Sequence, residues 1–338
     1  MPRRPETLLV MGADTFRMQF GDTELARLGA AASLGDPVTV DEFVSPASRK
    51  RLRTAEVLIT SWGCPPLDAG AVAAAPELRA VLHAAGSVRS HVTDAVFDRG
   101  ILVTTAADAN AEPVARYTLA AILWSLKRVP FLAADARRRR WDGWAYTDPR
   151  RSELSGIGRT VALVGFSRIG RRVAALLGAF PDIRVLVVDP VADLAEIVAA
   201  GAEPVPLAGA LPRADVLSLH APSLPATRRM IGAAELRALS PGATLINTAR
   251  GDLIDTAALE RACLSGLQAI LDVTDPEPLP SSSPLYDLPN VVLTPHVAGS
   301  LGAETRLMTA SALTELERYA AGLPPLTSVT AESLKVQA

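Results

Sequence analysis

The chain has 338 residues, of which 49% are hydrophobic and 21% are charged, and its formal net charge at pH 7 is −2. This balance is typical of a folded globular protein, and the length suits two domains that each bury their own core. A slightly acidic chain has no general attraction to nucleic acid or to an anionic membrane, so we expect neither as a partner.

The cysteine content and the first residues indicate the compartment. Cys64 and Cys263 belong to no Cys-x-x-Cys pair and cannot build a disulfide framework, which suits a reducing environment. The opening MPRRPETLLVMG lacks the apolar run of a signal peptide, and no apolar segment reaches about 18 residues. We therefore expect a cytoplasmic protein. No His, Cys, Asp and Glu group has the spacing of metal ligands, so we expect no metal.

Apolar runs of strand length recur along the chain. The first part contains TLLVMG, AEVLITSW, LRAVLHAA and ILVTT; after residue 158 come TVALVGF, VLVVDP, EPVPL, DVLSLHAP, ATLINTA, AILDV and VVLTPHV. Most are too apolar to alternate, which is typical of strands buried on both faces of a parallel sheet. Helical stretches such as GAVAAAPEL and GRRVAALLGAF lie between many of them. The sequence therefore predicts an α/β fold with parallel sheets.

The segment NAEPVARYTLAAILWSLKRV lies between two such α/β regions and predicts one long helix. We expect Asn110 to be its N-cap and Pro113 to lie in its first turn. The last helical segment, residues 302–322, has no following strand of the second region, so we expect it to return to the first. The predicted domains are thus residues 1–110 with 300–338, and residues 111–299.

The stretch VALVGFSRIG nearly matches the dinucleotide-binding pattern G-x-G-x-x-G. Gly165 permits the tight turn and Gly170 lets the helix approach the strand, but Ser167 stands where a glycine lets the backbone approach a pyrophosphate. The alternative is a tight turn of any α/β protein. Asp189 ends the next predicted strand, where a carboxylate accepts hydrogen bonds from ribose hydroxyls and repels a 2′-phosphate. Together these features predict NAD rather than NADP.

Three later segments follow predicted strands: INTARGDLID, LDVTDPEPLP and LTPHVAGS. They bring Arg250, Asp272, Glu277 and His296 to the edge where such sheets bind ligands. A guanidinium can hold a carboxylate, and a histidine titrates near neutrality, with a neighbouring carboxylate favouring its protonated form. Hydride transfer between a nicotinamide and a 2-oxo acid requires these groups. The alternatives are a structural His296, a solvated Glu277, and an Arg250 that caps a helix or pairs with Asp252.

These segments resemble the D-isomer-specific 2-hydroxyacid dehydrogenase family. NTARGDLID is similar to its arginine signature, DVTDPEPLP to its glutamate segment and LTPHVAGS to its histidine segment. NAEPVARYTLAAIL resembles its interdomain helix, and LHAPSLPATRRMI resembles the loop over the cofactor. The resemblance covers nearly the whole chain. It implies two flavodoxin/Rossmann-like domains with parallel sheets, the active site in the cleft between them, and a homodimer.

The resemblance also implies roles for particular residues. Arg250 would bind the substrate carboxylate, His296 would be the acid/base, and Glu277 would be paired with it. The second domain, residues 111–299, would be the NAD-binding Rossmann domain. The residues implied in cofactor binding are Gly165, Ser167, Arg168, Ile169, Gly170, Asp189, Ala221, Thr248, Ala249, Asp272 and Gly299.

The first domain would bind the substrate, a small 2-oxo or 2-hydroxy acid. Ala85, Gly86 and Ser87 match the loop that presents backbone amides to the substrate carboxylate. Arg89 departs from the Asn/Asp-rich continuation common in relatives; it suits a second carboxylate or a phosphate on the substrate, or is only a surface cation. His91 is close enough to this loop to be a further candidate.

The resulting hypothesis is an NAD-dependent D-2-hydroxyacid dehydrogenase, acting also as a 2-oxoacid reductase. One alternative is an NAD(H)-sensing binding protein on the same fold, similar to a corepressor. Another is a relative that oxidises a different small anion, such as formate or phosphite. We expect His83 and His220 to be packing residues in all three cases.

Overall fold

A computed structural model describes residues 3–139 and 154–336 of the chain. The chain divides into two compact units: unit 1 is Met1–Ala111 with Ser300–Ala338, and unit 2 is Glu112–Gly299. The first boundary differs from the expected one by a single residue. No helix in the described ranges is both long and apolar enough to cross a membrane.

The strands of unit 1 form a parallel sheet. Within the described residues its order is β2-β1-β3-β4-β5, and the order reverses between β1 and β3, as in flavodoxin-like folds. Leu8, Ile59 and Leu82 are fully buried in the inner strands, which explains why these runs do not alternate. The strands are β1 Glu6–Val10, β2 Ser33–Val40, β3 Val57–Thr60, β4 Ala80–His83 and β5 Leu102–Thr105.

Strand β2 was absent from the predicted elements. Its sequence, SLGDPVTV, contains Gly35 and Pro37, which normally argue against a strand. The strand still forms because β2 lies at the edge of the sheet. There Pro37, which lacks an N–H, can sit without breaking a hydrogen bond between inner strands. Its register with β1 shifts between Thr7 and Leu9.

The strands of unit 2 form a second parallel sheet. Its order in the described residues is β12-β11-β10-β9-β6-β7-β8, the Rossmann arrangement, in which strand order reverses between β6 and β9. Leu163 packs in one core cluster and Ala162 in another, so both faces are covered. The strands are β6 Thr160–Val164, β7 Arg184–Val188, β8 Glu203–Pro204, β9 Val216–Leu219, β10 Thr244–Asn247, β11 Gln268–Leu271 and β12 Val291–Leu293. The fold is therefore the predicted one, with two parallel-sheet α/β domains.

The helices are numbered along the described residues. Their bounds are α1 Ala13–Gln19, α2 Asp22–Ala31, α3 Pro46–Thr54, α4 Ala69–Ala74, α5 Asp94–Asp98, α6 Ala107–Leu126, α7 Val129–Arg139, α8 Arg168–Leu177, α9 Leu194–Ala199, α10 Leu207–Ala210, α11 Ala233–Ala238, α12 Thr256–Leu264, α13 Thr305–Ala320 and α14 Ala331–Val336. Helix α13 lies in unit 1, where Arg27 of α2 donates to Glu317 at 2.6 Å and to Thr314 at 2.9 Å. The last long helical segment thus returns to the first unit.

Helix α6 begins earlier than the sequence predicted. It starts at Ala107, so Asn110 is a helical residue and Pro113 lies inside the helix. The Asn110 N–H already donates to the Ala106 carbonyl at 3.0 Å, which an N-cap would not do. The N-cap prediction was wrong because the chain turns into the helix directly after β5. The Asn110 side chain instead accepts from the Ser300 N–H at 2.9 Å.

Candidate functional site

The glycine turn after β6 is shaped by two close backbone approaches. Gly165 has a φ of +104°, and a Cβ there would lie 2.6 Å from the Ala221 nitrogen and 2.8 Å from the His220 carbonyl oxygen. A Cβ on Gly170 would clash with the Gly165 carbonyl. The first and third glycines are therefore needed by the packing itself. Ala221 follows β9, so this contact lies where the strand order of the sheet reverses.

Ser167 is compatible with the turn because its backbone does not require glycine. Its φ is −71°, and its hydroxyl caps α8 by accepting from the Gly170 N–H at 3.4 Å. Accepting this bond leaves the O–H able to donate to a phosphate oxygen. Arg168 and Ile169 form the first turn of this ten-residue helix, whose N-terminus is suited to an anion.

Asp189 follows β7 and connects the glycine turn to the next loop. One oxygen accepts from the Phe166 N–H at 2.7 Å, and the other accepts from the Val191 and Ala192 N–H groups, both at 2.9 Å. A carboxylate has about four acceptor positions, so one remains on the oxygen that binds Phe166. A dinucleotide with an unmodified ribose fits this site: the glycine turn and the N-terminus of α8 suit its pyrophosphate, and the remaining Asp189 acceptor suits its ribose.

The arginine, glutamate and histidine segments begin at three adjacent strand ends. Asn247 of β10 pairs with Leu271 of β11, and Leu271 pairs with Leu293 of β12. The residues that follow these three therefore leave the sheet at one edge. Thr248, Asp272 and Thr294 are the first residues beyond these three strands.

Asn247 shapes the arginine segment and was missed in the sequence. Its side-chain oxygen accepts from the Ala249 N–H at 3.0 Å, and its amide nitrogen donates to the Arg250 carbonyl at 2.8 Å. An asparagine at a strand end, able to close a turn on its own backbone, is the signal that could have indicated it. The Arg250 guanidinium donates to the Ala249 carbonyl at 2.6 Å. Thr248 lies 2.9 Å from the Thr118 hydroxyl.

Gly251 brings the arginine segment against the glutamate segment. A Cβ on Gly251 would clash with the Thr274 carbonyl group and lie 2.5 Å from the Asp275 nitrogen. The backbone after Arg250 therefore packs directly on the backbone that leads to Glu277. A side chain at residue 251 would separate the two segments.

His296 and Glu277 form the pair that the sequence predicted. Histidine Nδ1 lies 2.7 Å from glutamate Oε1, and the two side chains are 53% and 44% exposed. This bond leaves Nε2 as the ring nitrogen that faces away from the carboxylate. The φ of His296 is +55°, in a region that residues other than glycine rarely occupy. Residues held in this region cluster at functional sites. Because its side chain is 53% exposed, His296 is not a buried packing residue.

Asp272 holds the loop that contains His296. Its side chain is buried and accepts from the Thr294 hydroxyl at 2.6 Å and from the Val297 and Ala298 N–H groups, both at 2.8 Å. Its main-chain carbonyl accepts from the His296 N–H at 3.0 Å. One acceptor position remains on the oxygen that binds Ala298. Gly299, a further expected cofactor residue, follows this loop directly and is partly buried.

Tyr117, in α6, is a site residue that the sequence did not indicate. Its hydroxyl lies 2.8 Å from the Thr294 hydroxyl. Burial raises the pKa of the Tyr117 phenol; the hydrogen bond with Thr294 lowers it in part, and the charge of Asp272 raises it. Tyr117 and Thr294 are far apart in sequence, and only the packing of α6 on the sheet brings them together.

The expected substrate loop of unit 1 is held by its carbonyl groups. The Thr105 hydroxyl donates to the Ala85 carbonyl at 3.2 Å and also to the Gly86 carbonyl. Within the described part of the chain, the N–H groups of Ala85, Gly86 and Ser87 donate to no protein acceptor. Three such N–H groups are suited to an anionic ligand.

The other expected candidates in unit 1 have protein partners. The Arg89 guanidinium is exposed and donates to the Leu334 carbonyl of α14. His83 and His91 are buried with ring centroids 4.4 Å apart, and both contact the Thr60 hydroxyl. Burial lowers the pKa of His91 to about 4, and burial together with His91 lowers that of His83 well below its usual value. His91 is therefore a packed residue.

His220 is a buried packing residue, as the sequence predicted, and it lies beside the glycine turn. It is buried at the end of β9, and its Cβ would lie 3.5 Å from a Cβ on Gly170. Burial lowers the pKa of His220 to about 3. Within residues 3–139 and 154–336, no three His, Cys, Asp or Glu side chains are grouped as metal ligands would be.

Comparison with known proteins gives one consistent family. Residues 119–298 match the family described as D-isomer specific 2-hydroxyacid dehydrogenase, NAD binding domain. D-3-phosphoglycerate dehydrogenase of Mycobacterium bovis is 36% identical over 277 residues, which are 80% of this chain and 50% of that protein. Glyoxylate reductase of Korarchaeum cryptofilum is 35% identical over 301 residues, 87% of this chain and 89% of that protein.

A solved structure with the same fold is a phosphoglycerate oxidoreductase from Rhizobium etli. It superposes with a TM-score of 0.81 at 26% identity and covers 98% of this chain and 100% of its own. The present chain spans about half the length of the mycobacterial relative that it matches.

Proposed function

Since the chain belongs to the D-isomer-specific 2-hydroxyacid dehydrogenase family, we propose that it is an NAD-dependent enzyme that interconverts a D-2-hydroxy acid and its 2-oxo acid. The single observation that supports this most is the 2.7 Å contact between His296 Nδ1 and Glu277 Oε1. It lies at the sheet edge where the arginine and aspartate segments also begin.

The two members of the pair have different tasks. Glu277 fixes the ring and directs Nε2 towards the substrate, and His296 donates its Nε2 proton to the carbonyl oxygen in the reducing direction. Arg250 holds the substrate carboxylate and stabilises the negative charge that develops on the carbonyl oxygen. When bound, the nicotinamide supplies the hydride.

Residues of unit 2 would hold the cofactor. The turn from Gly165 to Gly170, with Ser167, Arg168 and Ile169, would bind the pyrophosphate at the N-terminus of α8. The remaining acceptor of Asp189 would bind the adenosine ribose, which favours NAD over NADP. The rest of the contact surface would come from Ala221, Thr248, Ala249, Asp272 and Gly299.

The loop of unit 1 would bind the substrate carboxylate. Its support is the set of N–H groups at Ala85, Gly86 and Ser87 that donate to no acceptor in the described residues. Arg89 is proposed as a further substrate contact for acids that have a second negative group. The Leu334 carbonyl competes for this guanidinium, so removal of Arg89 should raise KM for such acids only moderately.

The test is NADH oxidation by the purified protein with a panel of 2-oxo acids. The panel contains glyoxylate, hydroxypyruvate, pyruvate, a branched acid, an aromatic acid and a phosphorylated acid, and NADPH is measured in parallel. We expect turnover with at least one acid and a preference for NADH. NADH binding without turnover on the panel, with formate or with phosphite would contradict the dehydrogenase and favour an NAD(H)-sensing protein.

Three further properties are part of the proposal. We propose that unit 1 binds the substrate, that the protein is a homodimer, and that it acts in the cytoplasm without nucleic-acid or membrane partners. Their support is the resemblance described above and the slightly acidic composition. Light scattering coupled to size-exclusion chromatography tests the dimer, and a monomer mass would contradict it.

A further inference from the structure

A chain of hydroxyl groups leads from helix α6 to the histidine loop. The Thr294 hydroxyl has one proton, and it donates that proton to Asp272 Oδ1 at 2.6 Å. The 2.8 Å contact between the Tyr117 and Thr294 hydroxyls therefore has tyrosine as its donor. The direction of donation along the chain is from Tyr117 to Thr294 and from Thr294 to Asp272.

The hydroxyl series ends at the Asp272 carboxylate, which accepts hydrogen bonds from the histidine loop. The Asp272 carboxylate accepts from the Val297 and Ala298 N–H groups, both at 2.8 Å, and the His296 N–H donates to the main-chain carbonyls of Asp272 and Thr294, both at 3.0 Å. These bonds bend the loop so that His296 adopts its φ of +55°. A residue in such a sparsely populated region stays there only if its surroundings hold it.

We propose that Tyr117 is a positioning residue for His296, acting through Thr294 and Asp272. The tyrosine hydroxyl fixes the rotamer of Thr294 so that its proton points at Asp272. The aspartate then keeps its orientation towards the Val297 and Ala298 N–H groups. This inference rests on the proposed function, because it assigns Tyr117 to the geometry of the proposed acid/base.

The site of this contact explains why the tyrosine is needed there. Tyr117 lies in α6, and Thr294 follows β12, so the Tyr117 hydroxyl connects the helix to the start of the histidine loop. Phenylalanine has the same ring but no O–H, so it leaves the Thr294 oxygen without its donor. Loss of one such hydrogen bond corresponds to about a fivefold change in rate if it acts only on the transition state.

The first experiment compares Tyr117→Phe, Thr294→Val and the double variant with the wild type. We expect Tyr117→Phe to lower kcat about fivefold while KM for the 2-oxo acid changes less than about twofold. Because both residues act through one chain, the double variant should be no slower than Thr294→Val. Thr294→Ser keeps the hydroxyl and should restore most of the activity.

Tyr319→Phe is the matched control. The Tyr319 hydroxyl donates to Glu56 at 2.6 Å and accepts from Arg3 at 3.4 Å, both in unit 1, so its loss also removes tyrosine hydrogen bonds, but not from this loop. We expect its kcat to equal that of the wild type. Equal kcat for Tyr117→Phe and Tyr319→Phe, or additive losses in the double variant, would overturn the proposal.

A second readout does not depend on turnover. The chain has four histidines, and three of them are buried, so diethyl pyrocarbonate should modify the half-exposed His296 first. We expect Tyr117→Phe and Thr294→Val to raise this rate at least about twofold, since a looser loop exposes the ring more often. An unchanged rate in both variants would overturn the positioning role. A raised rate in a protein without turnover on any 2-oxo acid would support the positioning role and contradict the proposed function.

Discussion

The loop after β4 in unit 1 and the loops after β7 and β11 in unit 2 are fixed by groups of opposite polarity. In unit 2, the carboxylates of Asp189 and Asp272 accept hydrogen bonds from loop N–H groups. In unit 1, the Thr105 hydroxyl and the Gln19 amide donate to loop carbonyls, those of residues 84–86. In unit 1 these anchors therefore consume carbonyls and leave the N–H groups of residues 85–87 without an acceptor in the described residues, whereas in unit 2 they consume N–H groups.

This difference has a chemical reason in each unit. A carboxylate anchor under the loop of unit 1 would occupy its N–H groups and repel the carboxylate of a 2-oxo acid. In unit 2, by contrast, a buried carboxylate can hold a histidine in an unusual backbone conformation, because charge-assisted hydrogen bonds are the stronger kind. The comparison indicates that the chemistry of an anchor determines which backbone groups of its loop stay available to a ligand.

The largest expected change in the free energy of unfolding comes from adding a methyl group to a loop of unit 2, and the same change in a loop of unit 1 should be small. In unit 2, Gly251→Ala should lower the free energy of unfolding by about 3 kcal/mol, because the Cβ would clash with the Thr274 backbone. In unit 1, a Cβ on Gly86 would lie 3.4 Å from the Asn110 amide, and Gly86→Ala should cost less than about 1 kcal/mol. Urea denaturation measures both values. Equal losses would show that the two loops are equally constrained.

The next largest effect is a fall in the free energy of unfolding at acid pH, which should be greater for unit 1 because it has two buried histidines. The pKa of His91 is lowered to about 4 by burial, and that of its neighbour His83 is lowered as well, whereas unit 2 has one such residue, His220. Below about pH 6.5 the unfolded chain binds protons that these buried rings do not, so stability falls as the pH falls. For His91 alone the loss is about 1.4 kcal/mol per pH unit down to about pH 4.

The measurement compares urea denaturation at about pH 7 and about pH 5 in the wild type and in His91→Gln. We expect the wild type to lose about 2 kcal/mol more than the variant over this interval, since the variant lacks the titrating ring. The same pH dependence in both proteins would show that His91 is not held neutral in the folded state. His220→Gln gives the matched value for unit 2.

The smallest effect distinguishes two helix caps. Ser167 in unit 2 accepts from the Gly170 N–H at 3.4 Å, whereas Asp68 in unit 1 accepts from the Ala71 N–H at 2.8 Å through a charged oxygen. We expect Ser167→Ala to cost about 0.5 kcal/mol and Asp68→Ala about 1 kcal/mol of unfolding free energy. A larger loss at Ser167 would mean that the serine holds the cofactor turn in place rather than merely capping α8.

The sequence predicted the fold because parallel strands are distinctive. Strands buried on both faces appear as short apolar runs, and the helices between them keep their own period. The candidate site could be predicted for a related reason. Arg250, Asp272 and His296 each follow such a run, and parallel strands end at one edge of their sheet.

The features that could not be predicted depend on contacts between distant segments. Asn110 has the chemistry of an N-cap, but the end of β5 decides where α6 begins. The pattern does not give the φ of the middle position of the turn, and at −71° its backbone accepts Ser167. The contact of Tyr117 with Thr294 exists only once α6 packs on the sheet.

The most direct test of the central claim is His296→Asn. Asparagine tolerates positive φ, so the loop can keep its shape while the acid/base is lost. We expect kcat to fall about 100- to 10,000-fold, with the NADH dissociation constant changed less than about threefold. Turnover close to that of the wild type, measured with the preferred 2-oxo acid at saturating NADH, would contradict the assignment of His296 as the proton donor.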